Sequence, residues 1–220
     1  MTALTAQDRL YAVIHGSQTD RRPYICPGGM MNMLTAQLMD LCGVCWPEAH
    51  LRPAAMAELA AAAYTNQLFD NIGVPFCMTV EAESMGAQVD LGGRYTELRD
   101  TSYPISSVDG WRDLPHMDLS AGRPKVVLEA LSMIEQRYPD AAITGSLTGP
   151  VSLASSLADA ACFYKDLRKK RENAHTLMEF VTDNLIAFGK AQIESGASFI
   201  AISDPSGTGE ILGPKLFEEY

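Results

Sequence analysis

The chain has 220 residues, 47% hydrophobic and 20% charged, the balance of an ordinary globular domain with enough length to build a core. Its 17 Lys and Arg stand against 27 Asp and Glu, and a net charge of −10 argues against a nucleic-acid or anionic-membrane surface, since both need a basic patch. Nothing at the polar N-terminus reads as a signal peptide, and no apolar run is long enough to span a bilayer. Five cysteines, Cys26, Cys42, Cys45, Cys77 and Cys162, are spread over apolar stretches, which predicts reduced thiols and a cytoplasmic location. The 11 Met read as adaptable core filler.

The elements follow in chain order. Residues 5–16 predict a helix, with Leu10, Val13 and Ile14 on one face and Gly16 as its stop. Asp20-Arg21-Arg22-Pro23 reads as a turn. Tyr24-Ile25-Cys26 reads as a short buried strand ended by Pro27-Gly28-Gly29. A helix is expected over 31–41, and an Ala-rich one over 53–70 with Pro53 in its first turn. Gly73-Val74-Pro75 leads into a second expected strand, 76–80. Residues 86–119 carry few regular signals and read as a long connection. Gly122-Arg123-Pro124 opens a helix over 125–137, with Val126, Val127, Ala130, Leu131 and Ile134 facing inward. A third strand is expected over 141–145, then the loop Leu147-Thr148-Gly149-Pro150. Helices are expected as far as 161 and from 165 to 195. A fourth strand covers 198–203 and ends at Asp204-Pro205, and another helix begins at 216. Strands separated by long helical patterns mean βα units and a parallel sheet. Four such units with an N-terminal helix make half of a (β/α)8 TIM barrel, an α/β fold whose complete form needs about 250 residues.

Four stretches carry a family resemblance by their order and spacing. They are Asp20-Arg21-Arg22-Pro23, Gly73-Val74-Pro75 through Glu81-Ala82-Glu83-Ser84-Met85-Gly86, Leu147-Thr148-Gly149-Pro150, and Ser195-Gly196-Ala197 with Asp204-Pro205. Together they resemble the uroporphyrinogen decarboxylase superfamily over nearly the whole chain. The decarboxylase itself fits poorly. The loop Cys26-Pro27-Gly28-Gly29-Met30-Met31-Asn32 lacks the two arginines that would hold a tetrapyrrole's carboxylates, Cys77 stands where its aspartate belongs, and its tyrosine falls at about Ser156. That loop and Met78-Thr79-Val80-Glu81-Ala82-Glu83 look instead like the methylcobamide:thiol methyltransferases, the coenzyme M type.

That resemblance implies a methyl-corrinoid as methyl donor, delivered by a corrinoid carrier protein, and a small thiol such as coenzyme M as acceptor. It also implies a zinc ion that holds the thiol as thiolate. The family's ligands are a His-x-Cys pair and a later Cys. His15, His50, His116 and His175 are the histidines here, and none stands two residues before a Cys. The zinc ligands are therefore expected beyond residue 220. Residues 1–220 are expected to be the N-terminal half of one barrel domain, without catalytic zinc of its own and prone to self-association through open sheet edges. Two alternatives stay open: a tetrapyrrole decarboxylase, and a non-catalytic corrinoid- or partner-binding fragment.

Barrel active sites form at the C-terminal ends of the strands. Glu81 and Asp204 are accordingly the catalytic candidates, against a solvated loop carboxylate and a turn cap. If Thr79 and Glu81 share one strand face, Glu81 reaches the mouth. Cys26, Asn32, Cys77, Thr79, Thr148 and Ser206 are the substrate-binding candidates. For Cys26 and Cys77 the plainer reading is a small buried hydrophobe, and for Asn32 a helix cap. Cys42-Gly43-Val44-Cys45 with His50 has metal-like spacing. It sits at an expected helix C-terminus, which does not favour thiolate, so core packing is the plainer reading, far from the mouth. The basic run 165–171 reads as a solvated face that could meet an acidic partner.

Overall fold

A computed structural model describes residues 4–26 and 34–220. Three parallel strands form the central sheet: β1 (Asn71–Val74), β4 (Ala142–Thr148) and β5 (Phe199–Ser203), in the order β1-β4-β5. Asn71 pairs with Ala142, and Thr144 with Phe199, so the C-terminal ends of β4 and β5 finish together at Thr148 and Ser203. β1 and β4 are buried along their whole length, as a strand covered on both faces should be.

Helices supply the cover. α1 (Ala6–Ile14) is capped by the Thr5 side chain, and α2 (Ala36–Cys42) ends at Gly43 in the left-handed conformation. After the short α3 (Glu48–Leu51), Pro53 opens α4 (Pro53–Thr65), which buries Met56, Leu59 and four consecutive alanines. The helix α6 (Gly122–Arg137) buries Val127, Ala130, Leu131 and Ile134, largely the face expected from sequence. Beyond β4 come α7 (Pro150–Leu157), α8 (Ala160–Lys169) and α9 (Arg171–Glu194). α8 and α9 divide at Lys170, whose backbone leaves the helical region although no Gly or Pro marks the break. Two short helices, α10 (Gly209–Leu212) and α11 (Pro214–Glu219), follow β5.

Three expectations need correction. The second strand is 71–74 rather than 76–80. Pro75 lacks the N–H that a ladder needs, so the chain leaves the sheet there, and the apolar stretch after it enters α5 (Val80–Ser84). Tyr24-Ile25-Cys26 is not a strand. It runs beside β1, but Asn71 takes over the pairing: its Oδ1 accepts from Cys26 N at 2.8 Å and its Nδ2 donates to Cys26 O at 2.6 Å. Within the long connection, β2 (Gln88–Asp90) and β3 (Arg99–Ser102) form an antiparallel hairpin, followed by a 3-10 helix over Val108–Asp113. The architecture is thus α/β with a parallel sheet and a hairpin at one end. No helix among the described residues is long and apolar enough to cross a membrane.

Candidate functional site

A cavity of about 290 Å³ lies off the C-terminal ends of β1, β4 and β5. Four residues expected to bind substrate line it: Cys77 after β1, Thr79 before α5, Thr148 at the end of β4 and Ser206 after β5. Ser156, on α7, lines it too. The β2–β3 hairpin closes one side through Leu98 and Asp100. A larger cavity of about 710 Å³ sits at the opposite end of β1, around Arg9, Arg21 and Asp70, where ion pairs fasten the N-terminal segment.

Glu81 stands behind this wall. It lies on α5, not on a strand, so the expectation that it shares a strand face with Thr79 is overturned by the break at Pro75. Its side chain is 1% exposed and clamps Thr148: Oε1 accepts from Thr148 N at 2.8 Å and Oε2 from Thr148 Oγ1 at 3.1 Å. Burial raises its carboxyl above the ordinary value, although the bonds from Thr148 pull the other way.

Asp204 stands behind the wall as well. Its carboxylate accepts from Val151 N at 3.1 Å, Ser152 N at 2.9 Å and Ser152 Oγ at 2.6 Å. These N–H groups open α7, whose own N-cap is Gly149 and offers no side chain. Asp204 therefore caps the N-terminus of α7, and its Oδ1 also accepts from Gly207 N at 3.2 Å in the turn that follows it, as the plainer reading expected. A Cβ at Gly149 would collide with the Asp204 side chain, so glycine permits the approach. Ser152 Oγ in turn accepts from Ser206 N at 3.1 Å, which fixes Ser206 on the cavity wall.

The sequence reading missed Arg123. It is 3% exposed and lies on the inward face of α6. Its Nε pairs with Glu83, its Nη1 donates to Cys77 Sγ at 3.3 Å, and its Nη2 donates to Thr79 O and Oγ1 at 2.8 and 2.9 Å. Thr79 Oγ1 also reaches Cys77 Sγ at 3.5 Å. One guanidinium thus fixes the segment carrying both Cys77 and Thr79. A signal existed: Arg123 falls four residues before Val127, on the apolar stripe, where a charge must be paired.

His50 was expected far from the mouth, and it lines the cavity. It is 1% exposed, with the Trp46 ring centroid at 5.4 Å and the Phe76 ring at 5.7 Å edge-on. Burial first, and then repulsion from Arg123, pushes its pKa down to about 3, so the imidazole is neutral. Cys42 and Cys45 do not join it at the cavity; Cys42 Sγ lies near the Met39 and Val44 carbonyls at the end of α2. Cys26 is buried against Asn71 and is not among the lining residues, because the Asn71 side chain holds its backbone alongside β1. Asn32 lies outside the described residues. Among the described residues no group of three or more His, Cys, Asp and Glu is placed to hold a metal, so they supply no zinc site. In the basic run, Lys170 pairs with Asp109 and Asp166, and Arg171 with Glu219, which uses two of its charges within the chain.

Comparison with known proteins agrees with this fold. The chain is 33% identical over 222 residues to the methylcobamide:CoM methyltransferase MtaA of Methanosarcina barkeri, covering 100% of this chain and 64% of the relative. It is 33% identical over 221 residues to MtbA of Methanosarcina acetivorans, a second methylcobamide:CoM methyltransferase, with the same coverage. A solved methyltransferase from Methanosarcina mazei superposes with a TM-score of 0.90 at 31% identity, over 99% of this chain and 64% of that one. The chain therefore spans under two thirds of the length of these relatives. The family model for uroporphyrinogen decarboxylase (URO-D) matches residues 5–220, and the chain belongs to that family.

Proposed function

We propose that the protein transfers a methyl group from a methylated corrinoid to a thiol of the coenzyme M type, with a corrinoid carrier protein as partner. The observation that carries this reading is the identity of 33%, sustained over the whole chain, to relatives named methylcobamide:CoM methyltransferases. The cavity supports it. The buried cation behind its wall, Arg123, is spent on Glu83, Cys77 and Thr79 and is not offered to a substrate. Of the charged residues in the lining, Glu97 and Asp100 are acids and Arg99 pairs with Asp90 at 3.2 Å, a balance that suits a tetracarboxylate substrate poorly.

In this reading the chain's own residues bind and orient. Thr148, its hydroxyl held by Glu81, shapes the wall, and Ser206, fixed through Ser152 and Asp204, presents a hydroxyl to the bound molecules. Glu81 and Asp204 are then positioning residues. Zinc, implied by the resemblance, has no ligand set among the described residues, and no step here runs through it. Residues 1–220 are read as the N-terminal part of a single (β/α)8 barrel. The apolar groove between α9 and β5, where Ile186, Ile193 and Ile202 are exposed, supports this as the face that the next βα unit covers.

The test is loss of the methyl–cobalt absorbance of methylcobalamin on adding protein and coenzyme M, with the methylated thiol identified by mass. CO₂ release from uroporphyrinogen without methyl transfer would overturn the reading in favour of the decarboxylase.

A further inference from the structure

The β2–β3 hairpin is stitched within itself and lightly joined to the rest of the chain. Its strands have three and four residues, and Gln88, Asp90, Arg99 and Thr101 are exposed along them. The turn between them is tight. Gly93 N donates to Thr96 O at 3.1 Å and Thr96 N to Gly93 O at 3.2 Å, while Asp90 Oδ1 accepts from Gly92 N at 3.0 Å. Gly92 has φ +62°, and a Cβ there would collide with Thr96 O, so this turn needs glycine. Thr101 Oγ1 donates to Gln88 O at 3.1 Å and Arg99 pairs with Asp90 at 3.2 Å, which ties one strand to the other. Among the described residues, the backbone hydrogen bonds of 88–103 stay within the hairpin.

Its attachments lie at the stems and at the tip. The stems run side by side, since a Cβ at Gly86 would meet Pro104 Cβ at 3.4 Å. Ala87 N donates to Ala82 O at 2.9 Å on α5, and Ile105 N to Leu157 O at 3.2 Å on α7. Asp100, near the second stem, is hydrogen-bonded by Ser156 of α7. At the tip, Arg94 pairs with Asp40 on α2. The hairpin thus bridges α7 and α2. Between these points Leu98 and Asp100 line the cavity, with Ser155 and Ser156 of α7 on one side and Trp46 and His50, beyond α2, on the other. The stem bonds join buried residues, Ile105 and Leu157. The tip bond is weak by comparison: the Arg94 side chain is 33% exposed and that of Asp40 67%, and an exposed ion pair contributes little. A stiff arm with a firm base and a weakly held tip swings before it unfolds, and Gly86, at φ +104°, gives one stem the backbone freedom of a hinge.

We infer that the β2–β3 hairpin is a lid over the strand-end cavity, moving as a unit about Gly86 and Pro104 and latched by the Arg94–Asp40 pair. The enclosed volume of about 290 Å³ is at the small end of ligand sites. Resting on the proposed function, the closed lid encloses the small thiol, and the open lid lets a corrin macrocycle approach the strand ends.

Cys77 reports the state of the lid. It is 7% exposed on the cavity wall, whereas Cys162 on α8 is exposed and serves as the internal control. The full chain is labelled with N-ethylmaleimide, and each cysteine is followed by peptide mass. Arg94→Ala and Asp40→Ala should each speed labelling of Cys77 about threefold relative to Cys162, the factor for an exposed ion pair of ordinary strength. Exchanging the charges, Arg94→Asp with Asp40→Arg, should bring the rate back toward that of wild type. The urea midpoint and the hydrogen exchange of the Gly93 and Thr96 amides should stay as in wild type, because the arm opens without unfolding. Unchanged Cys77 labelling in the single variants overturns the inference. So does equal acceleration at Cys162, faster exchange at Gly93 and Thr96, or no recovery in the exchanged pair. Asp40→Asn, which removes the charge alone, carries the test if an alanine variant fails to fold. No substrate enters this assay, and methyl transfer is read separately. Turnover without the Cys77 response removes only the lid, whereas the Cys77 response without turnover removes only the proposed function.

Discussion

At the N-terminal end of β1, Asp70 accepts from Arg21 Nη1 at 2.6 Å and from Tyr24 N at 2.8 Å, and Arg9 stands 3.6 Å away. Past the C-terminal end of the same strand, Glu81 is buried on neutral donors, from Thr148 and from its own backbone N–H. The Arg21 hydrogen bonds, ahead of burial, hold the Asp70 carboxyl below its usual range, and burial drives Glu81 above its own. One end of the sheet is a charge-paired fastening. The other holds Glu81 and Asp204 on neutral donors and pairs Arg123 with Glu83 beside a cavity. The strand C-termini are the end where this architecture leaves room for chemistry, and the electrostatics divide accordingly.

The largest effect should come from Arg123, a cation buried at the cavity end. Arg123→Met removes a buried charge while leaving Glu83 and the Thr79 carbonyl behind, and should cost about 3–5 kcal/mol in urea unfolding. A loss comparable to that of a surface substitution would show that this end is not held by Arg123.

At the opposite end, Asp70→Asn should cost about 2 kcal/mol, the scale of charge-assisted hydrogen bonds. Asp70 is held below its ordinary value of 3.8, so its stabilisation is present above that pH and is lost as pH falls through the lower folded value. The variant should lack this acid-side loss in pH-dependent unfolding.

Glu81 should show the opposite sign. Its folded pKa is above 4.5, so the native state binds more protons and stability falls as pH rises from 4.5 through the raised value. The difference between wild type and Glu81→Gln should trace that fall, with a slope of at most about 1.4 kcal/mol per pH unit. A difference curve that is flat over this window would break the contrast between the two ends.

Smaller still, Asp204→Ala should cost about 1 kcal/mol, as for a lost helix cap, and should loosen the α7 N-terminus in hydrogen exchange at Val151 and Ser152. The least effect is expected at Asp109→Asn. Its exposed pair with Lys170 lies away from both ends, and the unfolding midpoint should not move beyond measurement error.

Much of this was legible in residue order. The inward face of α6, the Pro at the first turn of α4, and the strands near 142–148 and 199–203 follow from periodicity and from flanking Gly and Pro. Cys77, Thr79, Thr148 and Ser206 meet at one cavity because each follows or ends a strand; residue order put Thr148 and Ser206 there, whereas Cys77 and Thr79 were expected inside a strand. The strand at 71–74 was misplaced because Phe76 to Val80 is as apolar as a strand, and periodicity cannot distinguish a buried loop leading into a short helix from a buried strand.

The sequence by itself determined the alternation of helices and parallel strands and which loops face one end of the sheet, because these depend on local pattern and chain direction. Only the tertiary structure decided the partners. Arg123 reaches Cys77 and Thr79 across 46 and 44 residues, and Asp204 caps a helix 53 residues earlier. His50, which looked like part of a distant CxxC group, comes to the cavity beside Phe76. Such contacts rest on burial and hydrogen-bond geometry between elements far apart in the chain. Local propensity carries no record of them, because the same residue types at the same local spacing can face solvent, core or cavity depending on what packs against them.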